Sequence, residues 1–169
     1  MFEGYSASLQ LYRLPAKVCD EKLTCTDVDI HQAGKMWCKD KNRAMSKYGN
    51  ISEWDTSSVT NMKMVFEKQN DFNNNISFWD TSKVTNMYEM FFEAVILNHD
   101  LSSWKNQPLN SWDVSSVVGM TGMFNTSKLF YQPLHSWDVR NLKKMTRMFQ
   151  NATSFSQDME NGKIGMHQK

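Results

Sequence analysis

Four aspartates follow four tryptophans directly: Asp55, Asp80, Asp113 and Asp138 after Trp54, Trp79, Trp112 and Trp137. Carboxylates that recur at one slot of a repeat could stack into a column and hold cations or a basic partner. The competing reading is that each accepts hydrogen bonds from the backbone of the turn that follows it. Like charges stacked at about 4.8 Å repel unless neutralised or hydrogen-bonded. The turn-fixing role is therefore the expectation.

Three cysteines, Cys19, Cys25 and Cys38, precede the tryptophan-marked region. Cys19 and Cys25 could close a small disulfide loop, Cys38 could pair with either, or all three could stay reduced. Cys38 sits beside Trp37, which suggests packing. No CxxC occurs, and His31, His99, His135 and His167 are scattered, so no metal site is assigned. No nucleophile–base–orienter set, glycine-rich phosphate loop or spaced carboxylate pair stands out. The chain is read as having no catalytic residue, no cofactor and no enzymatic activity.

The remaining candidates are surface features. Phe78 falls at an outward slot and is a candidate partner contact, or a lone exposed aromatic. Residues 97–112 break the period, and His99, Asp100, Trp104 and Lys105 there could form a binding loop or a tolerated bulge. Arg140, Lys143, Lys144 and Arg147 make a basic patch that is either a solvated face or a contact for an acidic protein or lipid headgroup.

What must position these residues is a repeat. Trp54 to Trp79 and Trp112 to Trp137 each span 25 residues, and Trp79 to Trp112 spans the same period with eight added. The text repeats as ISEWDTSSVTNMKMVF, ISFWDTSKVTNMYEMF, LNSWDVSSVVGMTGMF and LHSWDVRNLKKMTRMF. LNHDLSSW followed by KNQPLNSW looks like a local tandem duplication. The 13 Met, 10 Phe and 6 Trp fall mostly in repeat slots. The expected core is Trp54, Trp79, Trp112 and Trp137 with Met62, Met87, Met120 and Met145 and with Phe66, Phe91, Phe124 and Phe149.

Apolar residues at slots 1, 4 and 6 of [I/L]-x-x-W-D-[T/V] predict short strands at Ser52–Thr56, Ser77–Thr81, Asn110–Val114 and Ser136–Val139. Val84, Met87, Met90, Phe91 and Ala94, spaced 3, 3, 1 and 3, predict a helix in the second half. The expected fold is thus α/β: a leucine-rich-repeat-like solenoid of about four to five coils, each a short parallel strand plus a short helix. Before it, Thr26 or Asp27 opens a capping helix through Ile30, Ala33, Gly34, Trp37, Met45 and Tyr48. Lys41, Arg43 and Lys47 lie near its end and Gly49 stops it. The expected organisation is an extended arm at 1–25, the cap at 26–49, the repeats at 50–161 with the irregular insertion at 97–112, and a tail at 162–169.

A net charge of +1 argues against nucleic acid as a partner, and no run of 18 apolar residues predicts a transmembrane helix. The first residues, MFEGYSASLQLYRL, lack the continuous apolar stretch of a signal peptide.

The phased motifs WDTSSVTNM, WDTSKVTNM and WDVSSVVGM, with FNNNISFW and NQPLNSW before the Trp, resemble the BspA-like family of leucine-rich-repeat surface proteins. The stretch from His31 to Thr60 is similar to the capping region of algal and other protist members. The resemblance implies a cell-surface or secreted, non-catalytic protein-binding or scaffolding module. The alternative is an accessory or linker subunit of a large protein complex, peripheral to an organellar membrane if a leader has been removed.

Overall fold

The computed structural model describes residues 24–97 and 109–156. Two α-helices come first, α1 (Asp27–Lys39) and α2 (Lys41–Tyr48), followed by the repeats.

Helix α1 starts at a reciprocal cap. Thr26 Oγ1 accepts from the Asp29 backbone, and Asp29 Oδ2 accepts from the Thr26 backbone at 3.1 Å. Ile30, Ala33, Gly34 and Trp37 form its buried face. The helix comes so close to the first repeat that a Cβ at Gly34 would lie 2.8 Å from Val65 Cγ1. The expected single helix over 26–49 is divided at Asp40. Its φ of −150° is not helical, its N–H donates to Met36 O, and its carboxylate accepts from Arg43 N at 3.0 Å. One aspartate thus ends α1 and starts α2.

The solenoid of strand-plus-helix coils is not what the chain forms. Among the described residues there is no strand, and neither repeat half is an α-helix. The predicted strands are turns. Trp79 N bonds Ile76 O, Trp112 N bonds Leu109 O and Trp137 N bonds Leu134 O at 3.0–3.1 Å, and Ile51–Glu53 and Leu109–Ser111 are single 3₁₀ turns.

The predicted helices are ribbons of consecutive turns. Within one ribbon, Val65 N bonds Met62 O, Glu67 N bonds Met64 O and Gln69 N bonds Phe66 O. The intervening N–H groups reach the next repeat: Met62 to Asn86 O, Met64 to Tyr88 O, Phe66 to Met90 O and Lys68 to Phe92 O, at 2.7–3.0 Å. The same four bonds recur from Met87, Glu89, Phe91 and Glu93, and again from Met120, Gly122, Phe124 and Thr126. Single parallel bridges join Asn61, Asn86, Gly119 and Lys144 in succession.

Two observations explain why this arrangement replaces a helix. Every ribbon has left-handed residues four apart: Met64 and Lys68, Glu89 and Glu93, Gly122 and Thr126, Arg147 and Asn151, with φ of 49–64°. An α-helix excludes such residues. The stacking distance excludes it too. Phe66, Phe91, Phe124 and Phe149 stack with ring centroids 5.8, 5.6 and 5.5 Å apart. Packed helices need about 8–10 Å between axes.

The core follows the predicted slots, with a difference at one end. Trp54, Trp79, Trp112, Trp137, Met62, Met87, Met120, Phe66, Phe91 and Phe124 are buried. Met145 and Phe149 are only half-buried, because no described repeat covers the last one. A second file of rings, Phe72, Phe130 and Phe155, lies face to face with Phe66, Phe124 and Phe149 at 3.8–4.0 Å. Leu97 takes that slot in the second repeat.

Candidate functional site

The aspartate column is spent on local structure. Asp55, Asp80 and Asp113 each accept, through Oδ1, the N–H of the residue two further on, at 3.0, 3.0 and 2.9 Å, and Asp138 does the same to Arg140 at 3.2 Å. These are Asx turns. The Ser82 hydroxyl and then its N–H hold the Asp80 carboxyl below the usual carboxylate range. Among the described residues no three His, Cys, Asp or Glu side chains converge as a metal set.

Cys19 lies outside the described residues. Cys25 is buried and its N–H donates to Asp55 O at 2.8 Å. Burial, with Asp29 and Asp55 nearby, pushes its thiol up to about 12. Burial and then Asp71 push the half-buried Cys38 up to about 12 as well. No disulfide joins Cys25 and Cys38.

Of the predicted surface residues, Phe78 is 61% exposed. His99, Asp100, Trp104 and Lys105 lie outside the described residues. Arg140, Lys143, Lys144 and Arg147 are exposed, with Arg140 and Arg147 in turns and Lys144 in a single bridge to Gly119, so the predicted basic helix is corrected to a basic edge. Arg140 is forked onto the Asp138 carboxylate, which raises its pKa further. Its charge is therefore neutralised locally, whereas Lys143, Lys144 and Arg147 have no carboxylate partner among the described residues.

That edge has a backbone polarity that the sequence does not show. Along the middle of each ribbon four alternate donors point toward the following repeat and the matching acceptors toward the preceding one, whereas at the ribbon ends the direction reverses, as from Thr85 N to Thr60 O and from Lys143 N to Val118 O. At the front, α1 engages one carbonyl and two N–H groups of the first repeat. The His31 ring lies between two carbonyl oxygens, with Nδ1 2.6 Å from Asp27 O and Nε2 2.8 Å from Lys63 O. The Asp27 carboxylate takes the N–H groups of Thr60 and Asn61 at 2.7 and 3.0 Å and the Thr60 hydroxyl at 2.7 Å. At the back, the N–H groups of Met145, Arg147, Phe149 and Asn151 hold the donor register, and no described residue accepts from them. Beside them lie half-buried Met145, Phe149 and Phe155.

A second feature went unread in the sequence. Gln32, Lys35, Met36, Lys39, Asp40, Arg43, Lys47 and Tyr48 line a groove of about 400 Å³ along α1 and α2. Lys35 and Lys39 share one face of α1, Arg43 and Lys47 share one face of α2, and the groove brings the two pairs together. In the sequence Arg43 and Lys47 read only as helix-end charges, and Lys35 and Lys39 are not singled out.

No membrane-length apolar helix is present among the described residues. A family model described as "Mycoplasma protein of unknown function, DUF285" matches residues 35–109 and 105–168. No curated protein and no solved structure matches the chain.

Proposed function

Since the chain belongs to the DUF285 family, we propose that it is a non-catalytic protein-binding and scaffolding module that engages its partner at the open end of the repeat stack. The observation that carries this reading is the row of four backbone donors at Met145, Arg147, Phe149 and Asn151, flanked by the half-buried Phe149–Phe155 pair. A polypeptide segment supplying a row of carbonyls would continue the hydrogen bonding that joins the repeats and cover those rings. Lys143, Lys144 and Arg147 favour an acidic segment. The resemblance to BspA-like surface repeats supports an adhesive use of that edge at a cell surface.

The second reading, an accessory subunit of a larger assembly, is favoured by the same half-exposed rings. An apolar face of this kind suits a permanent interface better than a transient one. A photo-crosslinking residue at position 149, introduced into the chain in its native host, tests both. A discrete adduct is expected from position 149 and none from position 153. The isolated partner should slow amide exchange at Met145, Arg147, Phe149 and Asn151. No adduct and unchanged exchange would overturn the proposal. An adduct that co-purifies at fixed stoichiometry in a large complex selects the subunit reading.

A further inference from the structure

The groove on α1 and α2 lies on the helices that cover the first repeat, far along the chain from the edge just described. Four of its eight lining residues are cations, on a chain whose net charge is only +1. The nearby carboxylates offset them only in part: Asp29 feels Lys47, and Asp40 is the one acidic residue in the lining. Asp27 is held by Thr60 and Asn61, Asp29 by Thr26, and Asp40 Oδ1 caps α2 through Arg43 N. The two ion pairs among the described residues, Lys68–Glu67 and Arg140–Asp138, involve none of the four. The same groove includes Met36, half-buried against the core, and Tyr48, whose ring lies edge-on to Trp54 at 6.3 Å.

We propose that this groove is a docking site for an acidic polypeptide segment, which seats one large apolar side chain against Met36 and Tyr48 while its carboxylates pair with Lys35, Lys39, Arg43 and Lys47. Charge complementarity selects the partner's sign. The apolar residues and the size select a side chain rather than a bare phosphate, since pockets of about 300–1,000 Å³ take ligands of that bulk. Each pair, Lys35–Lys39 on α1 and Arg43–Lys47 on α2, matches acidic residues one helical turn apart on a partner helix. Nucleic acid fits less well, because Tyr48 already packs on Trp54 and the groove offers no row of open aromatic faces for stacking.

The test is fluorescence anisotropy with the full chain and a labelled helical peptide carrying glutamates four apart around one central leucine. Binding is expected to weaken about tenfold or more between about 50 and 300 mM salt. Lys39→Glu with Arg43→Glu should abolish it without changing the circular dichroism spectrum, and Lys39→Gln with Arg43→Gln should weaken it. Lys143→Glu with Lys144→Glu, on the other basic surface, should leave it intact. Tighter binding to anionic vesicles or to a single-stranded oligonucleotide than to the peptide would overturn the proposal. So would equal binding of a glutamine-for-glutamate peptide, or equal loss in both charge-reversal pairs. None of these outcomes depends on whether the open edge binds a partner.

Discussion

The indole N–H of Trp79 donates to the carbonyl oxygen of Ile51, 2.8 Å away and 28 residues earlier. Trp112 does the same to Ile76 at 3.2 Å and Trp137 to Leu109 at 2.8 Å. Each tryptophan thus fills its own repeat with an apolar ring and ties that repeat to the one before it. Trp54 is the exception. Its buried Nε1 has no acceptor among the described residues, and Trp37 and Tyr48 pack against its ring at 5.8 and 6.3 Å.

That difference separates two conservative substitutions. Trp79→Phe leaves the Ile51 oxygen with only the longer 3.5 Å bond from Trp54 N and is expected to cost about 1 kcal/mol beyond the change in ring size. Trp54→Phe loses no hydrogen bond and should cost less. Urea unfolding of the two variants decides it, and equal losses would mean that the inter-repeat bond contributes nothing net.

Phe91 and Phe149 occupy one slot at different depths of the stack. Phe91 is fully buried and contacts the rings of Phe66, Phe72, Trp112 and Phe124. Phe91→Ala should cost about 3–5 kcal/mol, as for a core aromatic. Phe149→Ala should cost clearly less, since its ring is half-exposed. Thermal melts with matched unfolding enthalpies measure the gap.

Lys68 distinguishes a turn ribbon from a helix by the sign of one effect. Its φ is 57° and its side chain is 61% exposed. In a helix interior Lys68→Gly would destabilise by about 1 kcal/mol. In the left-handed region a β-carbon costs roughly 1–2 kcal/mol, so the glycine should be neutral or stabilising. Gly122→Ala, with φ of 64° and a Cβ that would sit 3.0 Å from Glu89 Cγ, should destabilise. A loss at Lys68→Gly comparable to a helix interior would refute the ribbon.

Asp27 makes the attachment of α1 acid-sensitive. Burial works to raise its pKa, but the Thr60 hydroxyl and N–H and the Asn61 N–H outweigh it and hold the carboxyl below its ordinary value. A depressed native pKa contributes stability above the unfolded value of about 4, and that stability is lost as pH falls through the native value. Asp27→Asn should therefore be less stable than the parent at pH 7, and the gap should narrow at an acidic pH below the native value. Urea midpoints at the two pH values test this, and a gap that persists in acid would rule out the carboxylate as its cause.

Much of the burial pattern was legible because it follows residue type and period. Trp, Met and Phe at fixed slots are the core, and Thr26, Asp27 and Gly49 marked the helical cap region. The repeat backbone was not legible. Apolar residues three apart suit a helix, and they suit consecutive three-residue turns equally well. Of the eight left-handed ribbon positions only Gly122 and Asn151 carry residues that announce one; Met64, Glu89, Glu93 and Arg147 are ordinary helix formers. The split at Asp40 was hidden because an aspartate inside a helical pattern reads as a solvated charge.

The sequence by itself determined the period, the residues that go inside and the membership of a repeat family, since these depend only on which side chains avoid water and how often they recur. Only the tertiary structure decided the backbone conformation. Every second N–H of a ribbon finds its acceptor one repeat away, 24 residues on from Met62 to Asn86, and no local preference encodes a bond to a neighbour that far along the chain. It also decided the sites. Helix α1 bonds the first repeat through His31 and Asp27, and the same hydrogen-bond direction leaves the donors of Met145, Arg147, Phe149 and Asn151 without an acceptor among the described residues.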